Sequence, residues 1–232
     1  MGEVSVGCGR KSGMNSAELA RMLPGISEVR RRSVVLAVLE GVTGGDHPRY
    51  SFDAGWREGA ALASMADGSG NEYSIVFADE GALVIGFDHE SEMNPYGNGS
   101  QALWPGLLLG LPPELVRWAE DPRFVEDGVL CATLCLWRTP GSTAWGAGPI
   151  SYPEDGDGAG WLFRGLLGCS PELYASWATN VHGAPPDVEA VRAVFDGHPL
   201  TPALALRMNP AYDTASLDPL LELTGYGPVA AG

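Results

Sequence analysis

Hydrophobic positions along the chain change period twice. After Met14, the stretch "NSAELARML" places Asn15 or Ser16 as a helix cap with Glu18 in the first turn. Apolar residues at Ile26, Val29, Val34, Val38 and Leu39 then recur at helical spacing, with Gly41 as the expected stop. An N-terminal helical pair is predicted.

From residue 50 the period shortens. "YSFDAGW" (50 to 56) and "AALASMADGSG" (60 to 70) read as strands, the second ending in a Gly-Ser-Gly turn. "NEYSIVFADEGALVIGFD" (71 to 88) reads as a hairpin reversing at Asp79-Glu80-Gly81. Tyr73, Ile75 and Phe77 share one face of its first strand, and Leu83, Ile85 and Phe87 share one face of the return strand. Pro112 and Pro113 sit at the start of a short helix carrying Leu115, Val116 and Trp118. "GVLCATLCLWR" (128 to 138) is expected to be one long central strand, partnered by "STAWGAG" (142 to 148).

Beyond the acidic, Gly-rich "PEDGDGAG" (153 to 160), which reads as a solvated loop, the pattern is helical again. Segments 161 to 167, 170 to 181, 186 to 195, 201 to 208 and 213 to 226 are the expected helices. Most open on Ser, Pro, Thr or Asp, and Val188, Val191 and Phe195 form a stripe on the third. Strands followed by helices predict an α+β fold: a central antiparallel sheet with an N-terminal helical pair and a C-terminal helical layer on one face. Residues 1 to 13 show no periodicity and are expected to be a disordered or non-native extension, with 14 to 232 a single α+β domain.

Charge narrows the partners. The chain carries a formal -15, and residues 41 to 160 hold eighteen acidic and five basic side chains. Such a field repels phosphate backbones and anionic lipid, so no nucleic acid and no membrane is expected as partner, and a basic protein is the natural one. Arg30-Arg31-Arg32 is the one basic run, read as the solvated shoulder of an amphipathic helix. No apolar stretch approaches the roughly 20 residues of a membrane span and no signal core opens the chain, so a cytoplasmic location is expected. Cys8, Cys131, Cys135 and Cys169 lack metal-ligand spacing, and Cys131 and Cys135 are expected as buried thiols on one strand face.

The densest chemistry lies in "GFDHESEMNPYGNG" (86 to 99). Asp88, His89, Glu90 and Glu92 supply three carboxylates and an imidazole, enough to seed a divalent-cation site or acid/base work by His89, with Glu90 and Glu92 as further catalytic candidates. In a continuing strand Asp88 and Glu90 point one way and His89 the other, so convergence requires a turn. The competing account is structural: Ser91 caps a turn, Asn94-Pro95 begins a reverse turn, and Gly97 and Gly99 relax it. Seven Trp, beside Tyr and acidic loops, suit either packing or a protein-binding surface. Asp88, His89, Glu90, Tyr96 and Trp104 are the expected binding residues.

Several short signatures belong together: Tyr50-Ser51-Phe52 with Trp56, Ala63-Ser64-Met65 with Gly68-Ser69-Gly70, Gly86-Phe87-Asp88-His89-Glu90-Ser91 with Met93 and Pro95-Tyr96, then Trp104-Pro105-Gly106, Leu136-Trp137-Arg138, Pro199-Leu200-Thr201, Asn209-Pro210 and Gly225-Tyr226. In these the chain from about residue 45 resembles a family of bacterial cytosolic proteins to which no activity is attached. It departs from that family's pattern where Ile85 replaces a charged residue. The resemblance implies a class and not a reaction; by analogy of class such small acidic proteins are similar to inhibitors or immunity proteins of bacterial toxins.

The expectation from sequence is therefore a non-enzymatic, acidic protein-interaction module needing no cofactor. The alternative is a hydrolase-type enzyme built on Asp88, His89 and Glu90, with or without a divalent metal.

Overall fold

A computed structural model describes residues 13–97 and 101–227. The expected N-terminal extension lies outside the described residues apart from Gly13. Helix α1 (Ser16–Met22) opens with a reciprocal cap: the Asn15 side chain accepts from the Glu18 amide at 3.0 Å, and the Glu18 carboxylate accepts from the Asn15 amide at 3.1 Å. Helix α2 (Ile26–Thr43) runs past the expected stop and ends at Gly44. Gly41 is a packing notch, because a β-carbon there would press on the Leu220 side chain.

Four strands follow: β1 (Tyr50–Arg57), β2 (Ala60–Ala66), β3 (Glu72–Ala78) and β4 (Gly81–Phe87). The β3–β4 turn is tight, with Ala78 paired to Gly81 across Asp79 and Glu80. Gly81 has φ +137°, and a β-carbon there would collide with the Arg138 carbonyl. After α3 (Pro113–Ala119) come β5 (Val125–Glu126), β6 (Val129–Leu130), β7 (Leu134–Arg138) and β8 (Gly146–Ala147). The main sheet has six strands in the order β1-β2-β3-β4-β7-β8, every neighbouring pair antiparallel.

The expected single strand over 128 to 138 is instead broken. Positive φ at Asp127 (50°) and Gly128 (79°) turns β6 back onto β5 as a separate hairpin, and pairing with β4 begins only at Leu134. At the break, the Thr133 hydroxyl donates to the Asp157 carbonyl at 2.8 Å, and the Thr133 amide donates to the Gly86 carbonyl. Cys131 and Cys135 therefore do not share one strand face. Cys135 is buried, which pushes its thiol up to about 12, whereas Cys131 is only half-buried.

The C-terminal part supplies α4 (Ala159–Leu162), α5 (Arg164–Leu167), α6 (Pro171–His182), α7 (Val188–Phe195), α8 (Pro202–Met208) and, after a 3-10 turn at Thr214–Ser216, α9 (Leu217–Thr224). Side chains of Ser170, Asp187 and Thr201 cap α6, α7 and α8. On α7 the buried stripe is Ala190, Val191 and Val194, slightly rotated from the expected one.

The fold is α+β, with α2 and the C-terminal helices on one face of an antiparallel sheet. Phe52, Ala63, Tyr73, Ile75, Phe77 and Val84 meet α2 and the C-terminal helices. The opposite face is also covered: Leu62, Val76, Leu83, Ile85 and Cys135 pack on Leu107, Leu115, Trp118 and Phe124. Burial on both faces explains why "ALVIG" is continuously apolar rather than alternating. Each side chain of Leu or Phe size so buried contributes about 1.5–3 kcal/mol. Among the described residues no helix is long and apolar enough to cross a membrane.

Candidate ligand-binding site

The loop that drew attention in the sequence folds as nested turns. Asp88 is buried; its carboxylate accepts from the Glu90 amide (3.0 Å) and from the Trp161 indole N–H (3.0 Å), and its amide donates to the Thr133 hydroxyl (3.1 Å). Ser91, also buried, accepts from the Met93 amide and donates to the Gly156 carbonyl at 2.8 Å. Asn94 donates to the His89 carbonyl and accepts from the Tyr96 amide, making the reverse turn. The Tyr96 hydroxyl reaches the Glu126 and Val129 carbonyls and Cys131 Sγ; burial first, then the Cys131 contact, raises its pKa. Trp104 donates from its indole to the Ser151 carbonyl at 2.8 Å.

The catalytic candidates are spread rather than convergent. Glu90 and Glu92 are exposed, as is His89, whose ring Nδ1 lies 2.7 Å from Asn71 Oδ1. The Asn71 amide nitrogen donates to Asp67 at 2.8 Å, which fixes the amide's orientation and makes His89 Nδ1 the protonated nitrogen. Among the described residues no group of three His, Cys, Asp or Glu side chains is arranged to hold a metal ion.

Two adjacent residues at the start of this loop brace something else. Trp161, held by Asp88, and Asp67, held through Asn71 by His89, line a cavity of about 560 Å³ between the β1–β2 edge and α5–α6. Its apolar walls include Leu36, Met65, Trp177 and Tyr174. Tyr50 and Trp177 meet edge to face at 5.5 Å, and Tyr174 packs on Trp177 at 5.6 Å. Arg49 and Arg164 are the cations of the lining. Among the described residues neither guanidinium makes an ion pair or hydrogen bond, in contrast to Arg32, which binds Glu28 and the last carbonyls of α5. The Arg30-Arg31-Arg32 run is thus not simply a solvated shoulder: Arg30 also stacks over Phe52 at 5.6 Å.

Tyr50 contributes the cavity's most telling polar atom. The residue is only 9% exposed, its hydroxyl makes no hydrogen bond among the described residues, and it lines the cavity. Gly165 creates the space, since a β-carbon there would collide with that oxygen. Burial, with Glu40 and Cys169 adding and Arg49 opposing, pushes the phenol up to about 12, so it is a neutral donor at physiological pH. Burial would likewise raise Asp67, but hydrogen bonds from Asn71 and Ser69, helped by the Arg49 charge, hold it below the usual carboxylate range.

Behind the wall sits a polar cluster that sequence reasoning missed. Glu40 is completely buried in α2, and its carboxylate accepts from Tyr174 Oη (2.9 Å) and the Arg49 amide (2.8 Å), with His182 Nε2 at 3.0 Å. The signal was present: a lone carboxylate inside "VVLAVLEGV" has to find partners. Asp157 was missed similarly. Its buried carboxylate accepts from the Ser16 amide at 2.8 Å and the Ala159 amide at 3.0 Å, so the expected solvated loop is a clamp on α1.

Fold and cavity together describe an α+β protein with a preformed, mostly apolar recess bearing a few polar groups. No family model, curated protein or solved structure matches the chain. The family likeness noted in the sequence therefore rests on the quoted residues alone.

Proposed function

We propose that this protein is a non-enzymatic binding module whose ligand is a small organic molecule seated in the cavity beside α6. The observation that carries this reading is the recess itself. At about 560 Å³ it lies within the size range of small-molecule sites, and aromatic and aliphatic walls surround a few polar groups. A receptor is favoured over a catalyst because the nucleophiles there are not activated. Burial pushes the Cys169 thiol up to about 11, and the Ser170 hydroxyl accepts from the Leu173 amide as a helix cap.

The test is a fragment screen by ligand-observed NMR on wild type and on Ser176→Trp, an exposed rim position where an indole closes the mouth. Binders lost in the variant support the reading. A screen whose binders are unaffected by the variant, or that yields none, refutes it.

A second reading has its own support. Tyr96 ties the loop bearing Glu90 and Glu92 to the β5–β6 turn with Glu126 and Asp127, and Ser91 ties it to the loop with Glu154 and Asp155. Six exposed carboxylates thus gather at one end of the sheet, with Tyr96 beside them, which favours an acidic surface for a basic protein, in the manner of an inhibitor or immunity protein. Cytoplasmic residence and avoidance of nucleic acid accord with the same charge. Salt-sensitive binding of an arginine-rich peptide, weakened by Glu126→Gln with Glu154→Gln, is the expected result; binding indifferent to both refutes it.

A further inference from the structure

The cavity's polar groups are not evenly mixed, and their arrangement specifies a ligand class. We infer that the site selects an organic carboxylate with a flat apolar body, the carboxylate meeting Arg49 and Arg164 and accepting from the Tyr50 hydroxyl. This inference rests on the binding reading given above and sharpens it.

Three independent features lead to it. In a chain of formal charge -15, the cavity lining carries two arginines against one carboxylate, Asp67. That carboxylate is already occupied by Asn71 and Ser69 and feels the Arg49 charge only at longer range, and neither guanidinium forms a hydrogen bond or close salt bridge among the described residues. Planar guanidinium forks match carboxylates, and inside a partly desolvated recess such contacts are stronger than on an open surface.

The Tyr50 hydroxyl is the second feature. It sits on a nearly buried residue but opens onto the cavity, and it has no hydrogen-bond partner among the described residues, so it is available to a ligand. Its high pKa leaves it a donor, so it asks for an acceptor on the ligand. Gly165 keeps the oxygen's surroundings open.

Wall shape is the third. Trp161, Trp177 and Tyr174 line the recess with aromatic surface, and Leu36, Met65 and Leu162 with aliphatic surface. Such walls favour a flat hydrocarbon body.

The experiment uses three matched probes: 2-naphthoate, its neutral primary amide and the cationic 2-naphthylmethylamine. Each is titrated by NMR into wild type, Arg164→Gln, the double variant Arg49→Gln with Arg164→Gln, and Tyr50→Phe. Every variant is first checked for native thermal unfolding. Naphthoate is expected to bind roughly tenfold or more tighter than the amide, with the amine weakest, as one charge-assisted contact implies. The double variant should erase that preference by weakening naphthoate while leaving the amide unchanged. Tyr50→Phe should weaken both roughly threefold to tenfold.

Equal binding of naphthoate and amide, or a naphthoate affinity indifferent to both arginines, overturns the carboxylate assignment. So does failure of all three probes to bind. In each case, loss of fragments on Ser176→Trp still decides the cavity reading separately, so the two failures are distinguishable.

Discussion

Replacing Glu40 with Ala removes an acceptor used by three donors at once: Tyr174 Oη, the Arg49 amide and His182 Nε2. His182 retains 16% side-chain exposure and can turn to water, and Tyr174 can donate to Thr43 Oγ1 instead, so the Arg49 amide is the donor left stranded. Each buried donor without a partner costs about 1–3 kcal/mol, partly offset because the carboxylate no longer needs desolvating. With the cavity left by the shortened side chain added, a net loss of about 2–4 kcal/mol follows. For a chain of this length that corresponds to roughly 4–16 °C in Tm.

The isostere separates charge from connectivity. In Glu40→Gln the amide oxygen can keep the Arg49 N–H, while its NH₂ faces Tyr174 and His182. Tyr174 can then donate to Thr43 Oγ1, 2.7 Å away, whose own proton goes to the Leu39 carbonyl at 3.0 Å. His182 can accept by exchanging tautomer. Glu40→Gln should therefore cost only about 1 kcal/mol. As a surface control, Glu28→Ala removes the carboxylate shared by Arg31 and Arg32 and should cost about 0.2–1 kcal/mol. Urea unfolding followed by circular dichroism measures all three. If Glu40→Ala loses no more than Glu28→Ala, the cluster does not hold α2 to α6 as argued.

Asp88→Ala should cost about 1–3 kcal/mol and loosen Trp161, because the Glu90 amide and the Trp161 indole lose their acceptor; unchanged stability with unchanged cavity binding would contradict that link. The two arginines hold the Glu28 carboxyl down to about 2, below its ordinary 4.5, so its contribution is present above pH 4.5 and lost as pH falls toward 2. Glu28→Gln should flatten that part of the stability profile, by less than about 1 kcal/mol at this half-exposed pair, and an unchanged profile speaks against the assignment. Asp157, raised by burial, has the opposite sign: its contribution is present below pH 3.8 and lost as pH rises through its folded pKa. Alkylation mapped by mass spectrometry under native conditions should reach Cys131 well before Cys135, whose thiol is buried and stays protonated; equal rates would contradict the packing of β7.

Local chemistry made the framework legible. The Asn15–Glu18 cap, Pro113 at the start of α3, and the Ser170, Asp187 and Thr201 caps act within four residues, so the sequence displays them directly. Contacts between distant segments were not legible. Gly41 looks like a stop until Leu220 packs against it, and 128 to 138 looks like one strand until Thr133 is claimed by Gly86 and Asp157. The cavity is less visible still: Tyr50, Asp67, Trp161 and Trp177 come from four segments, and nothing in their spacing brings them together.

The choice between functional loop and structural turn for residues 86 to 99 does not reduce to either. Its polar side chains are largely spent on hydrogen bonds, yet one of those bonds ends on the cavity wall at Trp161 and another reaches Asp67 there through Asn71. Asp88 orients the Trp161 indole, and His89 orients Asn71, which holds Asp67 away from the two arginines' potential ligand. A carboxylate engaged by three donors competes weakly for a guanidinium, so the positive character of Arg49 remains available to a ligand. A compact run of Asp, His and Glu after a strand thus attracts attention as a reacting group, while its geometry suits a different role. It fixes, from behind, the shape and charge balance of a recess formed by other residues.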